Sequence, residues 1–97
     1  MIRSFGDPGT RDLFHGKSTS RSRRVPTAIR SSALRKLDML NAASSVNDLR
    51  SPPGNRLELL RGDLKGFRSI RINEQWRIIF EWAEGAADNV QIVDYHR

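Results

Sequence analysis

The stretch Gln75-Trp76-Arg77-Ile78-Ile79-Phe80-Glu81-Trp82 decides the architecture. In an extended chain successive side chains face opposite ways. Trp76, Ile78, Phe80 and Trp82 then make one apolar face, with Arg77, Ile79 and Glu81 on the other. Asn73-Glu74 turns this strand back on an extended run from Phe67 to Ile72. Downstream, Gly85-Ala86-Ala87-Asp88-Asn89 closes another hairpin before a last strand from Val90 to Tyr95. Upstream, Arg56-Leu57-Glu58-Leu59-Leu60-Arg61 places Leu57 and Leu59 on one face and Glu58 on the other, and it stops at Gly62-Asp63. The second half of the chain therefore predicts antiparallel strands.

The first half changes period. Ile2 to Phe5 can form a short strand. Asp7-Pro8 reads as a helix N-cap followed by proline in the first turn, and Gly16 as the stop, which predicts a helix over Pro8 to His15. From Pro26 to about Ala43, the positions Ile29, Ala33, Leu37 and Leu40 recur at helical spacing and Leu34 widens the stripe, so a second, amphipathic helix packs on a flat surface. Between the helices, Lys17 to Arg24 contains no apolar residue and four positive charges, and residues 17–25 read as a mobile basic loop with nothing to bury. Its role is open between a solvated linker and a contact with RNA or a protein partner. Ser51-Pro52-Pro53-Gly54-Asn55 is loop punctuation before the first strand. Helices before strands, each with one apolar face, predict a single α+β domain over residues 1–97: two N-terminal helices packed on a curved, mainly antiparallel sheet.

Composition limits the function. The chain has 97 residues, 37% of them apolar, enough for one core but not for a deep private cavity. It carries 17 Lys and Arg against 11 Asp and Glu, a net charge of +6, mostly as arginine, whose planar fork fits phosphate; a polyanionic partner follows. Without cysteine there is no disulfide, thiolate metal site or thiol nucleophile. The two histidines stand in no ligand array and the acidic residues are scattered, so neither a metal nor another cofactor is expected. No run reaches the roughly 20 apolar residues of a membrane span, and the N-terminus lacks a secretory pattern, so a cytoplasmic protein with no membrane partner is expected.

Several segments, in order along nearly the whole chain, resemble HigB-type toxins of the RelE/ParE superfamily. They are Met1-Ile2-Arg3-Ser4-Phe5, the loop from Leu49 to Leu57, Gly62-Asp63 through Gly66-Phe67 with Ser69-Ile70-Arg71-Ile72, Gln75-Trp76-Arg77-Ile78, and Val93-Asp94-Tyr95-His96. The resemblance implies a microbial ribonuclease-like fold and the toxin half of a type II toxin–antitoxin pair. Such a toxin enters the ribosomal A site, cleaves messenger RNA there and inhibits translation. Its antitoxin would be a HigA-like helix-turn-helix protein, through which alone the pair would meet operator DNA. Carried over by position, Arg61 matches a basic site residue, Arg77 the arginine after the strand tryptophan, and Asp94, Tyr95 and His96 the C-terminal catalytic group. Glu58 stands where some relatives have histidine, which leaves the general base open.

These residue types suit metal-independent RNA cleavage, which needs a base for the 2′-hydroxyl, charge neutralisation at phosphorus and an acid for the 5′-oxygen. Glu58 can accept the proton, Arg61 and Arg77 can hold phosphate oxygens, and His96 can donate. Tyr95 can stack on a base or donate to phosphate, and Asp94 can orient His96. Lys65, Arg68 and Arg71 can track an RNA backbone, although Arg68 and Arg71 differ by an odd number of positions and fall on opposite strand faces. By alternation alone, Arg77 is simply the solvent side of a strand, and His96 a histidine at a frayed terminus. His15, at a helix C-terminus, is explained by the helix dipole. Two other functions fit the same chain: a ParE-like toxin that poisons DNA gyrase, which would not need Arg77 with Asp94-Tyr95-His96, and a non-catalytic ribosome- or RNA-binding module.

Overall fold

The computed structural model describes residues 1–95, so His96 lies outside the described residues. The elements run α1 (Pro8–Phe14), α2 (Thr27–Ala42), β1 (Glu58–Leu59), β2 (Arg68–Arg71), β3 (Trp76–Ala83) and β4 (Ala86–Asp94), with short 3-10 turns between them. The strands form one antiparallel sheet in the order β1-β2-β3-β4, and the helices lie against β3 and β4. Both predicted helices and the α+β class are found.

The α2 stripe is the one read from the sequence: Ile29, Ala33, Leu37 and Leu40 are buried. They meet Ile70, Ile78, Phe80, Val90 and Ile92 from the sheet in one core. Each large aliphatic side chain sealed there contributes about 1.5–3 kcal/mol. α1 starts as expected, with Asp7 Oδ1 accepting from the Thr10 backbone N–H at 2.7 Å. The Thr10 hydroxyl donates to Asp7 Oδ2 at 2.9 Å and accepts from the Ile92 backbone N–H at 2.9 Å, which ties α1 to β4.

Four local expectations change. Residues 17–25 do have something to bury: Val25 is sealed in the core and the polar Ser22 is buried at 3% exposure. Polar pairing makes that burial possible: the Thr19 N–H donates to Ser22 Oγ, the Ser22 N–H to Thr19 Oγ1, and the Thr19 hydroxyl to Asp12. Arg24 from the same segment pairs with Asp7 at 2.9 Å and donates to the Ile92 carbonyl at 3.1 Å. The segment passes so close to α1 that a Cβ at Gly9 would stand 2.7 Å from the Arg21 carbonyl oxygen.

β1 is only Glu58–Leu59 because Arg56 adopts φ 46° after a 3-10 turn and another 3-10 turn begins at Gly62. Leu59, which alternation places on one face with Leu57, is 65% exposed, while Leu60 is buried. β4 begins four residues before Val90. The hairpin is a tight turn at Glu84-Gly85, both with positive φ (55° and 75°), so Ala86 to Asn89 are strand rather than turn. One extra residue on β4 is absorbed where the register shifts between Ile79 and Glu81, near Asn89 at φ 52°. Finally, Ile2 and Phe5 make isolated parallel bridges to Ala87 and Val90 instead of a regular strand.

Candidate active site

The site forms on the sheet face turned away from the helices. β2 and β3 pair Ser69 with Ile79 and Arg71 with Arg77, and β1 pairs Glu58 with Ser69. Alternation then puts Glu58, Ser69, Arg71 and Arg77 on one face, opposite Ile70, Ile78 and Phe80. Arg77 is the centre of the group. Its Nη1 donates to Ser69 Oγ at 3.0 Å and to Glu58 Oε1 at 3.3 Å. Its guanidinium carbon lies 5.1 Å from the centroid of the Tyr95 ring, within range of a cation–π contact. Tyr95 is placed by the end of β4, where its backbone N–H donates to the Gln75 carbonyl at 2.7 Å.

The expectation for Arg77 changes in one respect. It does face away from the core, but its side chain is only 14% exposed, because Glu58, Ser69 and Tyr95 enclose it. Ser69 was not anticipated. It is fully buried, and the signal for it was its shared parity with Arg71, which faces Arg77 across the turn at Asn73-Glu74. A guanidinium has five N–H donors, and both of these hydrogen bonds use one nitrogen. The arrangement fixes the fork without using all of it.

Two open clefts flank this centre. One, of about 360 Å³, is lined by Glu58, Leu59, Leu60, Arg61 and Tyr95. The other, of about 250 Å³, is lined by Arg56, Arg71, Glu74 and Arg77. Of the sequence-derived site residues, Glu58, Arg61, Arg71, Arg77 and Tyr95 therefore converge. Asp94 pairs across β3 with Trp76, on the opposite parity from Arg77, and accepts from Gln75 Nε2 at 2.9 Å. Arg68 pairs with Phe80 and Leu59, also on the opposite parity, and Lys65 is exposed at the end of a 3-10 turn. Arg71 and Arg68 thus separate as their odd spacing requires. Among the described residues, no group of three or more His, Asp or Glu side chains could hold a metal ion. No described helix is long and apolar enough to cross a membrane.

A sequence model of the family described as the RelE-like toxin of the type II toxin–antitoxin system HigB matches residues 3–96. The chain belongs to that family. It is a type II toxin of the HigB/RelE kind. It is 49% identical over 77 residues to Toxin HigB-1 of Vibrio cholerae, covering 79% of this chain and 80% of that one. It is 31% identical over 96 residues to Endoribonuclease HigB of Proteus vulgaris, covering 99% and 100%. Among solved structures, this HigB-family toxin resembles a point mutant of YafQ from E. coli, with a TM-score of 0.63 at 14% identity over 97% of this chain and 93% of that one. The YoeB–YefM complex of Staphylococcus aureus aligns with a TM-score of 0.60 at 14% identity over 100% and 99%. Those TM-scores show that the fold is shared. As a type II toxin the protein has an antitoxin partner.

Proposed function

We propose that this toxin is an endoribonuclease that cuts messenger RNA in the ribosomal A site and is neutralised by a HigA-like helix-turn-helix antitoxin, through which the pair meets operator DNA. The observation that carries the reading is Arg77, a guanidinium fixed by Ser69 and Glu58, packed under Tyr95 and bordered by open clefts. Near end-to-end similarity to a protein named Endoribonuclease HigB supports it.

In the proposed reaction Glu58 takes the proton of the 2′-hydroxyl and the 2′-oxygen attacks phosphorus. The 5′-oxygen leaves with a proton from His96, giving a 2′,3′-cyclic phosphate and a 5′-hydroxyl. Arg77 and Arg61 neutralise the non-bridging oxygens as charge builds there. An arriving phosphate competes with Glu58 for Arg77, so substrate binding also loosens the ion pair that holds the base. Tyr95 supplies a ring on which an unstacked base can rest, and Asp94 orients the chain end that carries His96. Acid, base and charge stabilisation are all assigned to side chains, so the cut is proposed to need no bound metal. Clefts this open position a flexible strand poorly by themselves, and the ribosome supplies the missing constraint.

The test compares purified toxin on naked messenger and on messenger in translating ribosomes, with transcript ends mapped by primer extension. New ends carrying 5′-hydroxyls only on ribosomes are expected. Comparable cutting of naked RNA would remove the ribosome, and translation arrest without new ends would favour a binding module. Restored cutting by one particular divalent ion, on ribosomes kept intact with polyamines, would end the metal-free reading.

A further inference from the structure

The geometry points to a second phosphate subsite beside Arg77, built by Arg56 and Arg71, that holds the phosphodiester next to the one being cut. The inference rests on the reading of Arg77 as a ligand of the scissile phosphate.

Arg71 and Arg77 are direct cross-strand partners on one sheet face, with backbones roughly 5 Å apart. Like charges in that relation destabilise a sheet. The nearby carboxylates compensate them unequally. Glu58 engages the mostly buried Arg77 at 3.3 Å, whereas Glu74 reaches Arg71 only at 3.9 Å from a side chain that is 95% exposed. Arg56 brings a third guanidinium to the same cleft and forms no ion pair among the described residues. Its backbone sits at φ 46°, a left-handed conformation unfavourable for an arginine. A strained backbone, an opposed like-charge pair and, beside the Glu58-paired Arg77, two further arginines against one loosely held glutamate meet in about 250 Å³ of open space.

A dianionic stretch of RNA backbone relieves this imbalance. One phosphate lies on Arg77 and its neighbour between Arg56 and Arg71, displacing Glu74, which sits at the rim. Two contacts spaced along the backbone also hold the strand across the site, so that the linkage on Arg77 stays within reach of Glu58.

The probe is a 2′-deoxytrinucleotide, which cannot be cut because it has no attacking hydroxyl, with either linkage made neutral as a methylphosphonate. Binding is read at millimolar concentrations from the arginine side-chain N–H signals of the intact protein. In the wild type, neutralising either linkage is expected to weaken binding severalfold. In Arg56→Gln/Arg71→Gln, one linkage becomes indifferent while the other still matters, and the salt slope becomes shallower by about 0.7. Glu74→Gln tightens binding of the fully charged probe by about twofold or more.

Equal affinity of the wild type for singly and doubly charged probes overturns the subsite, as does no binding at millimolar concentration. An oligoglutamate peptide that saturates the three arginines as tightly as the trinucleotide overturns it in favour of an acidic protein segment. If the linkage pattern is found but the protein cuts no RNA on ribosomes, the cleavage reading fails and the subsite stands.

Discussion

At the scale of single residues, Arg77 bears most of the proposed chemistry. Arg77→Ala is expected to lower cleavage by on the order of 10² to 10³, the usual loss when a charge-stabilising donor leaves a preorganised site. Lysine should restore part of it, since a point charge cannot reproduce the fork. An unchanged melting profile and intact antitoxin complex are the controls, and near-normal cutting with both satisfied would return Arg77 to a structural role. Alternation in Gln75 to Trp82 was enough to turn Arg77 away from the core. It could not show that Ser69 and Glu58 reach it, because those contacts depend on the registers of two hairpins. Asn55 illustrates the same limit. In the sequence it is loop punctuation, yet it is fully buried, donating to the Leu49 and Ser51 carbonyls and accepting from Lys36 on α2. Asn55→Ala should cost about 1–3 kcal/mol for each group it orphans, read as a lower urea midpoint. A midpoint equal to wild type would show that water replaces the amide.

Among the elements, the join between α1 and β4 matters most. The Thr10 hydroxyl serves both the N-cap carboxylate and the Ile92 N–H, and Arg24 closes the same corner through Asp7 and the Ile92 carbonyl. Thr10→Val keeps the shape and removes the hydroxyl, so a loss of about 1–3 kcal/mol is expected, with faster amide exchange at Ile92 and through α1. Exchange unchanged at Ile92 would mean the hydroxyl is not its working acceptor. The N-cap itself was legible in Asp7-Pro8, since capping is local chemistry. The docking of residues 17–25 was not, because Lys17 to Arg24 has no apolar residue to give a periodic signal, and the segment is held by polar pairs with Asp12 and Asp7 and by the buried Val25, which only the folded chain brings near. β1 was overestimated for a related reason. Alternating leucines promise a strand, but the left-handed turn at Arg56 and the 3-10 turn from Gly62 cut it to two residues.

For the molecule as a whole, the N-terminal segment is closed onto β4 partly by charge. Asp88 takes hydrogen bonds from Arg3 and Ser4, with the Arg3 bond the main cause holding its carboxyl below the ordinary range. Asp48 is also held low, chiefly by the backbone N–H groups of Ser45 and Ser44. For a depressed carboxylate the folded state binds fewer protons than the unfolded one. The stabilisation is therefore complete above the ordinary carboxylate pKa of about 3.9 and is lost as pH falls through the folded value. The advantage of wild type over Asp88→Asn in urea unfolding should accordingly be full near pH 6 and shrink towards about pH 2; an advantage independent of pH would refute this linkage. The sequence by itself determined the two helices, the antiparallel sheet, the buried stripe of α2, the outward face of Arg77 and the family, because capping, periodicity and motif order are properties of contiguous residues. Only the tertiary structure decided that Arg77 is enclosed by Ser69, Glu58 and Tyr95, that Arg56 and Arg71 share its neighbouring cleft, and that Asp94 pairs with Trp76 on the other parity from Arg77. Those outcomes depend on cross-strand register and chain closure, which bring together residues up to dozens of positions apart and which no local pattern encodes.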